Sequence, residues 1–200
     1  MMKAIQLPLR PFAITLSLAS VLAGAGPAHA EPVSYKTDPD HTFVYFEVVH
    51  FGTSTVRGRF DKVDGTIVLD QAAHTGHADI TVDARSIDSG VADFDKHLKS
   101  KDFFDVARTP TARFAGDRFE FDGEKVKSVS GQLTLLGKTV PVTLNARRFN
   151  CYHQPVLKAD VCGGDFETTL TRSQWGMNWG IDLGVPDSVH IAIQIEAVKE

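Results

Sequence analysis

The strongest constraint on the fold is an alternation of apolar and polar residues with a period of two, repeated along most of the chain. From Thr42 to His50, Val44, Phe46, Val48 and His50 fall on one face, and Phe43, Tyr45, Glu47 and Val49 on the other. Val56, Gly58 and Phe60 alternate with Arg57 and Arg59, which the same count turns towards solvent. Ala78, Ile80, Val82 and Ala84 alternate with Asp79, Thr81 and Asp83, and Val189, Ile191, Ile193 and Ile195 sit opposite His190, Ala192, Gln194 and Glu196. Further strand-like runs cover residues 111–122, 124–136, 138–149 and 164–172.

Turn chemistry separates the runs. Asp64-Gly65, Asp122-Gly123 and Leu136-Gly137-Lys138 are hairpin signals, and Pro141 marks an edge or bulge. One helical insert near residues 92–105 interrupts the pattern, with Phe94 and Leu98 four apart on one face. Strand–helix–strand alternation is lacking, which argues against a parallel sheet. About eight antiparallel strands make an all-β sandwich or a closed barrel. A barrel of about eight strands is wide enough for one small ligand, and closure removes exposed edges.

Residues 1–30 have the layout of a cleaved secretory signal. Lys3 and Arg10 precede the uncharged run Phe12–Ala25, and Ala28-His29-Ala30 supplies small residues for cleavage. The run is shorter than the ~18–20 residues of a spanning helix and is followed by Gly26-Pro27. Cleavage leaves residues 31–200 as a single domain, with no stable membrane insertion. Lys3 and Arg10 are the only charges removed, so 21 basic residues become 19 against 25 acidic ones, a formal charge of −6. That balance disfavours nucleic acid as a partner. Cys151 and Cys162, the two cysteines of an exported chain, are expected to form a disulfide; a metal site or redox pair fits their spacing less well.

Read together, several segments resemble the YceI-like, or polyisoprenoid-binding, family. They are Asp40–Phe46, Val48–Gly52, Val56–Phe60 and Asp64–Ile67, then Ser86–Gly90, Asp95–Leu98 and Asp102–Asp105. Gly131–Gly137, Pro141–Leu144 and Arg172–Met177 complete the series. The resemblance implies a lipocalin-like barrel, secreted to the periplasm. It implies an apolar tunnel holding a long isoprenoid, either a polyprenyl phosphate or an isoprenoid quinone, as cargo rather than cofactor, and no catalytic residues.

On that expectation the tunnel wall takes Val44, Phe46, Val48 and Phe60 from the early strands and Phe94, Leu98, Phe103 and Phe104 from the insert. Trp175, Met177 and Trp179, in a glycine-rich stretch, form a wall or a mouth. His50 and Arg172 share parity with inward residues, so either could meet a polar head group; the structural alternatives are a satisfied histidine and an arginine paired with an aspartate of the insert. Asp40-His41 reads as turn chemistry. His74-Thr75-Gly76-His77 lacks a third metal ligand at the usual spacing, and no nucleophile elbow, zinc-protease motif or phosphate loop occurs. Three functions follow: a non-catalytic periplasmic carrier of an isoprenoid lipid, a scavenger of hydrophobic antibiotics or toxic lipids, and an enzyme acting on the same lipid. The mouth of such a barrel, covered by a second copy, would give a homodimer.

Overall fold

Strands form wherever the alternation runs. The computed structural model describes residues 31–200, so the proposed signal lies outside the described residues. The strands are β1 (Val33–Thr37), β2 (Phe43–His50), β3 (Ser54–Phe60), β4 (Val63–Asp70), β5 (Thr75–Asp83), β6 (Ile87–Asp88), β7 (Thr111–Asp122), β8 (Lys125–Leu135), β9 (Lys138–Gln154), β10 (Ala159–Thr171) and β11 (Ser188–Lys199). Among the described residues there is one α-helix, α1 (Ala92–Leu98), in the insert between β6 and β7.

These eleven segments make eight staves. β1 and β2 pair with successive stretches of β11, Thr37 opposite Ala197 and Phe43 opposite Gln194. β3 continues into β4 in the same way, pairing first with β2 and then with β1. β5 continues through a 3-10 turn, Ala84–Ser86, into β6. The ladder then runs β5-β7-β8-β9-β10-β11, and the β1–β11 pairing closes an antiparallel barrel. The expected lipocalin-like barrel of about eight strands with a short helical insert is therefore the fold.

Two buried threonines bridge the break in the first stave. Thr42 Oγ1 donates to the Glu196 carbonyl at 3.0 Å and accepts from the Glu196 N–H at 3.3 Å. Thr37 Oγ1 accepts the Gly65 N–H at 2.9 Å and donates to the Gly65 carbonyl at 3.3 Å. Side-chain hydroxyls thus replace ladder bonds at the bend, where unpaired amides would be costly. Between them Asp38 accepts from the Asp40 N–H and pairs with His41, the turn expected at Asp40-His41. Hydrogen bonding to His41 holds the Asp38 carboxyl below its ordinary value against the opposing effect of burial.

The Asp64-Gly65 turn is a correction. Both residues lie inside β4, opposite Thr81 and Ile80 of β5. Gly65 is there because a Cβ would collide with the Asp79 carbonyl, so the glycine reports close strand approach rather than a reversal. The reversals at Gly123 (φ 59°) and at Leu136-Gly137 (φ 51° and 73°) are where the sequence places them. Pro141 lies opposite Gln132 on β8, in a stretch of β9 that precedes its pairing with β10, so its missing N–H leaves no gap in that ladder.

The barrel is charged outside and apolar inside. Arg113 pairs with Asp79 at 2.6 Å and Arg147 with Glu167 at 2.8 Å on the outer surface. Arg57 pairs with Glu47 at 2.7 Å, and Arg59 lies over the Phe43 ring at 4.7 Å; both arginines are exposed, as their parity predicts. This polarity is the reverse of a membrane-spanning barrel. No helix among the described residues is long and apolar enough to cross a membrane.

Candidate ligand tunnel

The inward faces enclose a cavity of about 500 Å³. It runs the length of the barrel: Val189, Ile191, Ile193, Ile195 and Ala197 of β11 all line it. Eight residue steps at about 3.4 Å, on a strand tilted by ~40°, give a tunnel of about 20 Å. Two apolar clusters wall it. One, nearer the insert, contains Phe46, Phe60, Leu98, Phe103, Trp175 and Met177. The other contains Tyr35, Leu69, Val129, Phe166 and Ile195. That second half is closed, its lining residues mostly buried. Burial first, and then the charge of Asp160, raise the Tyr35 phenol above its ordinary pKa.

The other end is a mouth. Val49 near the end of β2, Phe51 on the β2–β3 turn, and Trp179 and Leu183 on the loop 176–187, line the cavity and are also exposed. The insert forms the remaining rim. His97 packs edge-on against Trp179 and Phe103, with ring centroids 4.6 and 5.0 Å away, and its Nε2 lies 3.2 Å from Asp102.

Arg172 braces the mouth loop. Its guanidinium donates to the carbonyls of Met177 (2.8 Å), Pro186 (2.9 Å) and Val185 (3.4 Å). The ion pair expected with an aspartate of the insert is not formed; carbonyls of the arginine's own loop take its donors. Desolvation lowers the guanidinium pKa, and Asp187 opposes that shift. Asp187 in turn accepts from the Ser173 hydroxyl at 2.6 Å and the Ser173 N–H at 2.8 Å, and these bonds, Ser173's hydroxyl foremost, hold its carboxyl below the ordinary value. Trp175 is fully buried, with its indole N–H on the Leu133 carbonyl at 3.2 Å.

All thirteen residues placed near the tunnel from sequence lie on the cavity wall. His50 is exposed at the mouth; its carbonyl accepts the Thr53 N–H at 2.9 Å, while its ring lies 4.8 Å from Phe51 and hydrogen-bonds to none of the described side chains, so the satisfied structural histidine does not describe it. Sequence reasoning did not place Phe51 and Leu183 of the rim, or Phe114, Phe119 and Phe149 deeper in. Cys151 and Cys162 form the expected disulfide, directly opposite each other on β9 and β10. It lies away from the mouth, and Cys162 lines the closed half. Among the described residues no group of three or more metal-ligating side chains gathers. His74 instead stacks on Phe121, centroids 5.2 Å apart.

A closed antiparallel barrel with an apolar tunnel open at one end defines a lipocalin-like, ligand-holding class of protein. Within that class the chain belongs to the YceI-like family, whose YceI-like domain matches residues 35–197. Protein YceI of Escherichia coli O157:H7 is 36% identical over 190 residues, covering 92% of this chain and 96% of that protein. The crystal structure of Burkholderia cenocepacia BcnA is similar with a TM-score of 0.67 and 25% identity, over 80% of this chain and 99% of that one. A polyisoprenoid binding domain from Saccharophagus degradans shares the fold, with a TM-score of 0.59 at 14% identity, over 84% of this chain and 99% of that one.

Proposed function

We propose that the protein is a non-catalytic periplasmic carrier of a long-chain isoprenoid lipid, held with its tail in the closed half and its head at the mouth. The carrying observation is the tunnel: about 500 Å³ of almost wholly apolar space, open at one end and walled by two apolar clusters. Such a volume lies within the ~300–1,000 Å³ of small-molecule sites. A 20 Å tunnel takes about sixteen chain bonds, at roughly 1.25 Å of advance for each ~1.5 Å C–C bond, or about four isoprene units. Each buried methylene-sized group contributes about 0.8 kcal/mol, so ten such groups give about 8 kcal/mol gross, less the cost of immobilisation. No charged anchor is needed for useful affinity.

Family membership and the fold shared with a polyisoprenoid binding domain support the cargo class. The signal-like residues 1–30 and the disulfide support export to an oxidising compartment. Organic extraction of protein exported by a bacterial host, followed by mass spectrometry, tests the reading. An isoprenoid quinone or polyprenyl phosphate in stoichiometric amount is the expected result. An empty barrel that also takes up neither lipid when supplied would sink it.

A further inference from the structure

The rim of the mouth is the least expected surface of this barrel. Val49, Phe51, Trp179 and Leu183 are 49%, 56%, 42% and 67% exposed, Val49 near the end of β2 and the others on two loops that meet. A Cβ built on Gly184 would lie 3.3 Å from the Phe51 ring, so the β2–β3 turn and the loop 176–187 are neighbours. The loop is braced rather than loose. Arg172 holds three of its carbonyls, and Val185 N–H and Leu183 N–H both reach the Gly180 carbonyl, at 2.9 and 3.0 Å. The apolar tips are therefore held out at fixed positions.

Every one of these side chains also lines the tunnel, so the outer apolar surface is continuous with the inner one. What covers the rim must itself be apolar where it faces the opening. Four side chains exposing roughly half of ~150–250 Å² apiece offer about 300–500 Å² at most. A stable protein dimer needs about 800 Å² from each partner. The patch is too small for that, and it consists of protruding tips rather than a flat face. Tips of Trp, Phe and Leu suit a fluid partner that closes around them, and Trp favours the membrane–water boundary.

We propose that this rim docks the mouth onto the surface of a phospholipid bilayer. The proposal rests on the carrier reading for its purpose: an isoprenoid then passes between membrane and tunnel without exposing its tail to water. Its anchoring is apolar, and with a formal charge of −6 after residue 30 the protein gains nothing from anionic lipid.

Sedimentation of the exported protein with neutral phosphatidylcholine vesicles, alongside Trp fluorescence, tests the docking. Wild type is expected to co-sediment, with a blue shift from the exposed Trp179 that disappears in Trp179→Phe. The double substitution Phe51→Ser, Leu183→Ser is expected to lower partitioning about tenfold or more, since apolar area leaves the contact. Val156→Ser changes an 83% exposed side chain on the hairpin at the opposite end and is expected to leave partitioning unchanged. Failure of wild type to co-sediment, equal binding by the double variant, binding that requires anionic lipid, or loss in Val156→Ser alone would each overturn the proposal. So would a solution dimer that buries Trp179. The readout needs no cargo, so an empty barrel defeats the carrier reading while sedimentation still decides docking. For loaded protein, transfer to acceptor vesicles is expected to quicken with acceptor concentration; a rate independent of it would mean release through water and count against docking.

Discussion

Ala78→Phe separates a tunnel from a packed core. Ala78 is on β5 between Ile67 and Gly116, and it lines the closed half. Forcing a ring into a filled interior costs about 1–3 kcal/mol through strained rotamers and displaced backbone. Placed in an open cavity, the ring occupies free space and gains contacts, so the unliganded barrel is expected to hold or raise its stability. Cargo responds in the opposite direction. The ring displaces about one isoprene unit, five carbons at about 0.8 kcal/mol each, for a gross loss near 4 kcal/mol. That bounds the rise in Kd at roughly a thousandfold. A tail of two units ends above Ala78 and is expected to bind as before, whereas a tail of four units loses affinity. Calorimetric titration with quinones of the two tail lengths, together with urea unfolding of the empty protein, gives both numbers. Equal losses for the two tails, or a destabilised empty barrel, would refute the tunnel reading.

Arg172→Met is expected to destabilise the protein by about 3 kcal/mol in urea, because the Met177, Val185 and Pro186 carbonyls lose a charged donor; proteolysis is expected to move to the loop 178–184, and an unchanged pattern would contradict the bracing role. Asp187 has its carboxyl held below the ordinary value in the fold, so its contribution is present above the unfolded value near 3.8 and is lost as pH falls through the lower folded one. Acid unfolding monitored at the loop is thus expected to begin below about pH 4, and Asp187→Asn to lose that component; identical acid profiles would count against it. Replacing both Cys151 and Cys162 by Ala is expected to cost about 2–3 kcal/mol of stability for a loop of this length while leaving cargo binding intact. A large loss of binding would show that the staple shapes the tunnel.

The inward face was legible wherever the period of two was unbroken. Val44, Phe46 and Val48 of β2, Ala78, Ile80 and Val82 of β5, and Val189, Ile191, Ile193 and Ile195 of β11 reach the tunnel by simple parity. The deeper wall was not legible because β7 and β9 change parity midway. Phe114 and Phe119 are five residues apart, yet both line the tunnel, since Asp117 is an extra residue where the β7–β8 register shifts between Gly116 and Arg118. On β9, Leu144 and Phe149 both face inward across the exposed pair Arg147 and Arg148, where the register with β10 shifts. Two adjacent charged residues within each run were the available signal. β4 was obscured by the turn-like Asp64-Gly65, whose cause, the Asp79 carbonyl on a neighbouring strand, is a tertiary contact invisible in sequence. The mouth was half legible for a related reason. Trp179 stands out by composition, whereas Phe51 and Leu183 take their role only from two distant loops meeting.

Discrimination among cargoes falls to the mouth. An apolar wall separates tails by about 0.8 kcal/mol per methylene, roughly a fourfold effect. The lining residues that carry polar groups are Tyr35, Thr42, His50, His97, Thr168, Arg172, Trp175 and Trp179. Tyr35 lies in the closed half, and the Trp175 N–H is taken by the Leu133 carbonyl. Thr42 both donates to and accepts from Glu196, His97 pairs with Asp102, and Arg172 is bound to three carbonyls. His50, Thr168 and the Trp179 indole N–H are left, and none of them is a lysine or an arginine. A phosphate head carries about 1.5–2 negative charges and needs paired cations once removed from water. A quinone carbonyl needs only a hydrogen-bond donor, which His50 supplies from the end of β2. With tails of equal length, an isoprenoid quinone is therefore expected to displace a polyprenyl monophosphate, with at least about tenfold tighter binding, equivalent to roughly 1.4 kcal/mol. His50→Phe is expected to narrow that gap by weakening the quinone alone. Competition of the two lipids for one fluorescent probe measures the ratio, and a phosphate that binds as well as the quinone would show that the head group lies outside the mouth, where His50 cannot select it.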